Sequence, residues 1–209
     1  MIQEIAPAPG VVPAAPASIW GRGLRPLTVG LILSVSGPAF EALAVATTMP
    51  ATSRDLGGLW LYGWAFSAFM LANLLGISVA GAEADRQGPL RPYFMGVGLF
   101  VLGLLVVGLA PAMEVVILGR AIQGFGAGVL SSVAYVVIGR GYPEALKARM
   151  LAVLSSAWVI PGLVGPALAG LITDTFGWRW VFLGLTPFIL LAGALTTGGL
   201  RLLGGGSQA

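Results

Sequence analysis

Two ionisable residues stand where the chain is otherwise apolar: Glu41 in FEALAVATTMP and Arg120 in LGRAIQGFGAG. A carboxylate and a guanidinium can exchange a proton, neutralise one another, or hold a charged solute. The sequence has no cysteine and no histidine, which removes thiolate chemistry, disulfides and the usual proton shuttle. Proton chemistry here must use carboxylates. Serines lie in apolar runs or near helix ends without a base, so nucleophilic catalysis has no visible machinery and no enzyme is expected. No metal or cofactor site is expected either.

The surroundings of the two residues set their cost. The 209 residues are 57% hydrophobic and 9% charged, with a mean hydropathy of +0.93, far too apolar for a water-soluble domain of this size. Charged and turn-forming residues divide the chain into six apolar spans near 26–49, 59–80, 92–111, 115–138, 150–172 and 180–200. Each is close to the ~20 residues that cross a bilayer as a helix. No stretch alternates as barrel strands do. The expected fold is all-α: a polytopic bundle of six transmembrane helices over 25–201, with a proline- and alanine-rich disordered cytoplasmic tail at 1–24 and a short cytoplasmic tail at 202–209.

Basic residues fix the expected orientation. With the N-terminus inside, the inner face carries Arg22, Arg25, Arg86, Arg91, Arg140, Lys147, Arg149 and Arg201, and the outer loops carry Arg54 and Arg179. This is a positive-inside bias, with both termini cytoplasmic in the plasma (inner) membrane. Trp60, Trp64, Trp178 and Trp180 then cluster at outer helix ends as an interfacial belt. The pI near 9.8 reflects these loop arginines and gives no reason to expect nucleic acid as a partner. GFGAG follows no strand, so it is no dinucleotide loop.

Glu41 lies eight residues before Met49 and Arg120 six after Glu114, which at ~1.5 Å per residue puts them roughly 12 Å and 9 Å below the outer surface. An intramembrane charge costs at least ~2.5 kcal/mol, so opposite charges at matched depth imply a shared polar interior, a wet crevice between the helices. Burial and a neighbouring arginine pull the carboxyl's proton affinity in opposite directions, which could couple a proton to a conformational change. The plainer reading is a structural ion pair that fixes helix packing.

In the fifth span, Ala157, Pro161, Gly165 and Ala169 recur every four residues beside a second row of Gly162, Pro166 and Gly170. Such rows let another helix approach closely. Pro161 and Pro166 release the carbonyls of Ala157 and Gly162, so the helix should bend there. Gly124, Gly126 and Gly128 read the same way in the fourth span.

These segments resemble a family. GAEADRQGPLRP at 81–92 resembles the helix 2–3 loop signature of the major facilitator superfamily through Gly81, Asp85, Arg86 and Gly88, and LGRAIQGFGAG looks like its helix 4 motif through Arg120, Gln123, Gly124 and Gly126. PGLVGPALAG is similar to the helix 5 antiporter motif through Gly165, Pro166 and Gly170, with Pro161 and Ala169 replacing two glycines. FEALAVATTMPATSRDLG and FGWRWVFLGLTP resemble drug:proton antiporters, with Glu41 in the acidic place.

The resemblance implies one six-helix half of a major facilitator fold, with spans 1–3 and 4–6 as inverted repeats. It implies Glu41 and Arg120 as the proton-coupling pair, and Gln123 and the mid-membrane Trp158 as candidates for the substrate cavity. Gly81, Asp85, Arg86, Gly88 and Arg91 would form a cytoplasmic loop gate, with Gly81 and Gly88 allowing its tight turn, though Glu83, Pro89 and Leu90 depart from the pattern. Pro161, Gly165, Pro166 and Gly170 would shape the helix 5 kink. The expected activity is proton-coupled efflux of small lipophilic or cationic compounds. Rivals are a degenerate, non-transporting scaffold or regulatory subunit, and facilitated metabolite or sugar transport. Alternating access needs two halves, so the expected partners besides bilayer and substrate are a second copy or a separately encoded half, unless the chain is a truncated product.

Overall fold

A computed structural model describes residues 18–204, with side chains placed through Leu200. The described residues form α1 (Arg25–Leu56), a single 3₁₀ turn (Leu59–Leu61), α2 (Tyr62–Gln87), α3 (Leu90–Gly108), α4 (Met113–Gly141), α5 (Glu144–Ser156), α6 (Val159–Phe176) and α7 (Arg179–Gly204). Taken together, α5 and α6 make one span, so six are long and apolar enough to cross a membrane. Helices satisfy every backbone group internally, as hydrocarbon demands. The order alternates direction, so one end carries the α2–α3 and α4–α5 turns with most arginines, and the other carries Trp60, Trp64 and Trp180.

Two triplets interlock. α4 packs between α2 and α3, while α1 packs against α6 and α7, and α3 meets α7. The first helix of each triplet thus lies on the second and third of the other, as an inverted repeat requires. Corresponding turns close on left-handed glycines, Gly88 at φ 79° and Gly177 at φ 94°.

Glycine makes the tightest seams. A Cβ at Gly124 or Gly128 would strike the carbonyl oxygens of Phe69 and Asn73 on α2, whereas one at Gly126 would strike the Phe100 backbone on α3. The fourth-span glycines therefore serve two opposite faces rather than one smooth stripe. Gly81 behaves otherwise. It sits inside α2, and a Cβ there would meet only Ser132 Oγ at 3.8 Å, so the tight turn needs Gly88 and not Gly81.

Several boundaries differ from the sequence reading. α1 runs through Pro50 to Leu56 and stops at Gly57 and Gly58, both with positive φ. Pro50 has helical φ and forfeits only one bond near the helix end. The charged EALKAR segment is helical, and the fifth span breaks instead at Ala157–Trp158. Pro161 is the third residue of α6, where a missing N–H costs no helical bond, so the chain breaks ahead of it and only Pro166 lies inside the helix. The freed Ala157 carbonyl accepts a hydrogen bond from Ser36 Oγ on α1 at 3.2 Å. Ala157, Pro161, Gly165 and Ala169 are all buried, with Gly165 facing Phe40 and Leu43 of α1, whereas Gly162 and Pro166 in the second row are exposed.

The proposed tail at 1–24 is corrected at its end. Ile19 is fully buried, and its carbonyl accepts Thr28 Oγ1 at 2.8 Å, the same hydroxyl that meets Tyr142 OH at 2.8 Å. Burial raises the Tyr142 phenol above its ordinary range, with the Thr28 bond opposing, so it serves as a neutral partner. Residues 1–17 lie outside the described residues. At the other end, α7 extends to Gly204, and 205–209 lie outside them.

Candidate functional site

The two intramembrane charges meet. Arg120 Nη1 donates to Glu41 Oε1, joining α4 to α1 at the centre of the bundle. Arg120 is held on every side: its Nε donates to the Ala65 carbonyl on α2 at 3.2 Å, and its Nη1 lies 3.4 Å from Gln123 Oε1. Its guanidinium also lies over the Phe69 ring, 4.1 Å from the centroid, a favourable cation–π placement. The close α2–α4 seam at Gly124 brings Ala65 and Phe69 within reach.

Both charged side chains are almost wholly enclosed, at 1% and 2% exposure. Among the described residues no open crevice lies beside them in this conformation: the helices enclose the pair. Two polar atoms in the cluster, Glu41 Oε2 and Gln123 Nε2, have no hydrogen-bond partner among the described residues. An unpaired buried polar atom costs about 1–3 kcal/mol, so this oxygen and this amide hold unused capacity for a proton, a water or a solute. Gln123, expected in a cavity, is completely buried and belongs to the ionic cluster.

Trp158 lies elsewhere. Half-exposed at the α5–α6 break, it lines an open crevice of about 410 Å³ with Asn73, Ser131, Tyr135 and Ser155. Sequence reading missed Tyr135 and Asn73, whose polar groups interrupt apolar runs on the same faces and were the available signal.

At the arginine-rich end, Asp85 accepts Arg140 Nη2 at 2.7 Å and Arg140 Nη1 donates to the Ala84 carbonyl at 3.2 Å. Glu83, a departure from the family pattern, lies 3.6 Å from Arg91, which also donates to Gln87. Arg86 is exposed and makes no ion pair among the described residues. The predicted gate residues are thus close together, with Arg140 as a partner that had been counted only for topology.

Asp55 anchors the opposite end by accepting Arg179 Nη1 at 2.6 Å and Trp178 Nε1 at 3.1 Å, and Arg179 Nη2 reaches the Ala110 carbonyl at 3.1 Å. Trp178 is accordingly buried. It is a packing residue rather than part of the interfacial belt, which Trp60, Trp64 and Trp180 still form by exposure.

Comparison with known proteins agrees with this geometry. A family profile described as Major Facilitator Superfamily matches residues 17–202. The chain is 31% identical over 156 residues to Multidrug resistance protein 3 of Bacillus subtilis (strain 168), covering 75% of this chain and 30% of that protein. It is 32% identical over 178 residues to the Probable multidrug resistance protein EmrY of Escherichia coli (strain K12), covering 85% and 35%. With the Multidrug efflux pump SdrM of Staphylococcus aureus (strain N315) it shares 28% over 164 residues, covering 78% and 37%. The chain spans about a third of the length of these relatives. Six interlocked spans, a buried acid–base pair on the first and fourth, and a profile that matches almost the whole described region lead to one conclusion: this membrane-spanning chain belongs to the major facilitator superfamily.

Proposed function

We propose that this chain supplies one half of a proton-coupled efflux transporter for small lipophilic or cationic compounds. It would work in the plasma (inner) membrane with both termini cytoplasmic, against a second six-helix half that is another copy or a separate chain. The observation that carries the reading is the enclosed Glu41–Arg120 pair with its free carboxylate oxygen. An ionised Glu41 locks α1 to α4 through Arg120. A proton on Glu41 cancels that attraction and leaves Arg120 to the Ala65 carbonyl and the Phe69 ring, which biases the packing of α1 on α4. Rocking against the second half would admit water and let the proton leave on the other side. The relatives named for multidrug resistance and efflux support the substrate class, and the uncharged, aromatic crevice at Tyr135 and Trp158 suits flat apolar or cationic solutes.

The complete burial of the pair favours a second reading, a structural ion pair in a non-transporting scaffold. Glu41→Gln decides between them. Loss of proton-driven efflux of a lipophilic cation, with the folded assembly unchanged in detergent, supports coupling. Loss of assembly, or efflux that survives the substitution, overturns it.

A further inference from the structure

A large cavity among the described residues lies away from the charged pair, in a groove between α6 and α7 with α1 as its floor. It holds about 650 Å³. α6 and α7 touch only sparsely, yet each turns an apolar row toward the other: Val164, Leu168 and Ile172 on α6, and Val181, Leu185 and Phe188 on α7. Apolar rows on neighbouring helices normally close on each other. These do not.

Gly184 shows how the gap is kept. It lies on the groove wall within α7, and a Cβ there would meet no atom within 4 Å. At Gly124 and Gly128 the missing side chain admits a neighbouring backbone, but at Gly184 it leaves open volume. The groove also offers no free hydroxyl donor at its deep end, because Ser36 Oγ donates to the Ala157 carbonyl and Ser156 Oγ to the Val153 carbonyl at 2.7 Å. A solute bearing acceptors would find no hydroxyl donor there. The wall from Trp180 to Phe188 and the wall from Ile172 to Ile160 span roughly 12 Å and 18 Å at the helical rise of ~1.5 Å per residue. That is the depth of one leaflet of a ~30 Å hydrocarbon core. The mouth carries Trp180, half-exposed, as expected at the headgroup level.

We infer that the α6–α7 groove is a binding site for one acyl chain of a phospholipid from the leaflet at the Trp180 end. The chain enters beside Trp180, runs between the two apolar rows, and ends against Ser36, Ser156 and Ala157 at the break between α5 and α6. It completes the packing that α6 and α7 lack, and it supports the broken helix from the lipid side. The site depends on the chain spanning a bilayer and not on proton coupling.

The test is photo-crosslinking of the full chain in phosphatidylcholine vesicles that contain a phosphatidylcholine with a diazirine near the end of one acyl chain. Label concentrates on the deep-end groove residues Ile160, Val164, Leu185 and Phe188, above the level on the exposed Leu190 and Leu191. Gly184→Leu, whose Cβ meets no atom within 4 Å and whose side chain enters the groove, lowers the groove label several-fold and leaves the Leu190–Leu191 label unchanged. Should that variant misfold by circular dichroism, Leu168→Phe serves the same purpose. Uniform labelling of lipid-facing residues, or equal groove labelling in wild type and the folded variant, overturns the site. Displacement of the groove label by a lipophilic amine assigns the groove to transported cargo and also overturns it.

Discussion

Ser36 Oγ donates to the Ala157 carbonyl across the α1–α5 contact, so the break in the fifth span is stitched to the first helix by a single hydroxyl. Ser36→Ala leaves that carbonyl without its partner in the bundle interior. The expected loss is about 1–3 kcal/mol, the cost of an unsatisfied buried acceptor. Thermal unfolding of the purified protein in detergent measures it, and an unchanged midpoint would show that the break holds without the bond.

Arg120→Leu strands the Glu41 carboxylate in the bundle and should destabilise by about 3–5 kcal/mol, as removal of one partner from a buried ion pair does. Glu41→Gln costs less, since its amide oxygen can still accept from Arg120 Nη1. The double variant Glu41→Gln, Arg120→Leu should cost less than the two losses added, because the residues share one interaction. Additive losses in a double-mutant cycle would contradict the direct pairing.

Gly124→Ala places a methyl against the Phe69 carbonyl and forces α2 away from α4, for a loss of about 1–3 kcal/mol. Gly81→Ala makes only an ordinary contact with Ser132 Oγ inside a helix and should gain about 0.5–1 kcal/mol. Opposite shifts in the unfolding midpoint are the expected result, although both glycines belong to family-like motifs.

Asp55→Asn removes the negative charge shared by Arg179 and Trp178 at the exposed end of α1 and leaves an amide oxygen to accept. The expected loss is small and shrinks further in high salt, since a half-exposed pair is screened. Trp178→Ala, which empties a buried ring site beside Phe182, should destabilise far more and with no salt dependence. Unfolding in low and high salt separates the two effects.

Charge and hydropathy made the six spans legible, and matched depth made the Glu41–Arg120 pair legible, because in hydrocarbon a lone charge is too costly to stand without a reason. Helix ends were less so. Pro50 reads as a stop, yet a proline near a helix end forfeits only one bond, and the stop belongs to Gly57 and Gly58. Pro161 reads as a kink but stands in the first turn of α6. The two faces served by Gly124 and Gly126 were hidden because a glycine carries no side chain to mark its direction. Trp178 read as a belt residue because spacing alone does not reveal Asp55, 123 residues away in the chain, as its partner. Gln123 looked open to solute because Gly103, which packs against it, comes from a different helix.

The interlaced triplets carry a consequence for biosynthesis. α1 finds its main neighbours only when α6 and α7 have emerged, and Glu41 is delivered to the membrane long before Arg120 is translated. During that interval the acid has no counter-ion. The nascent first helix must wait beside the insertion machinery, or carry its carboxyl protonated, until the fourth arrives.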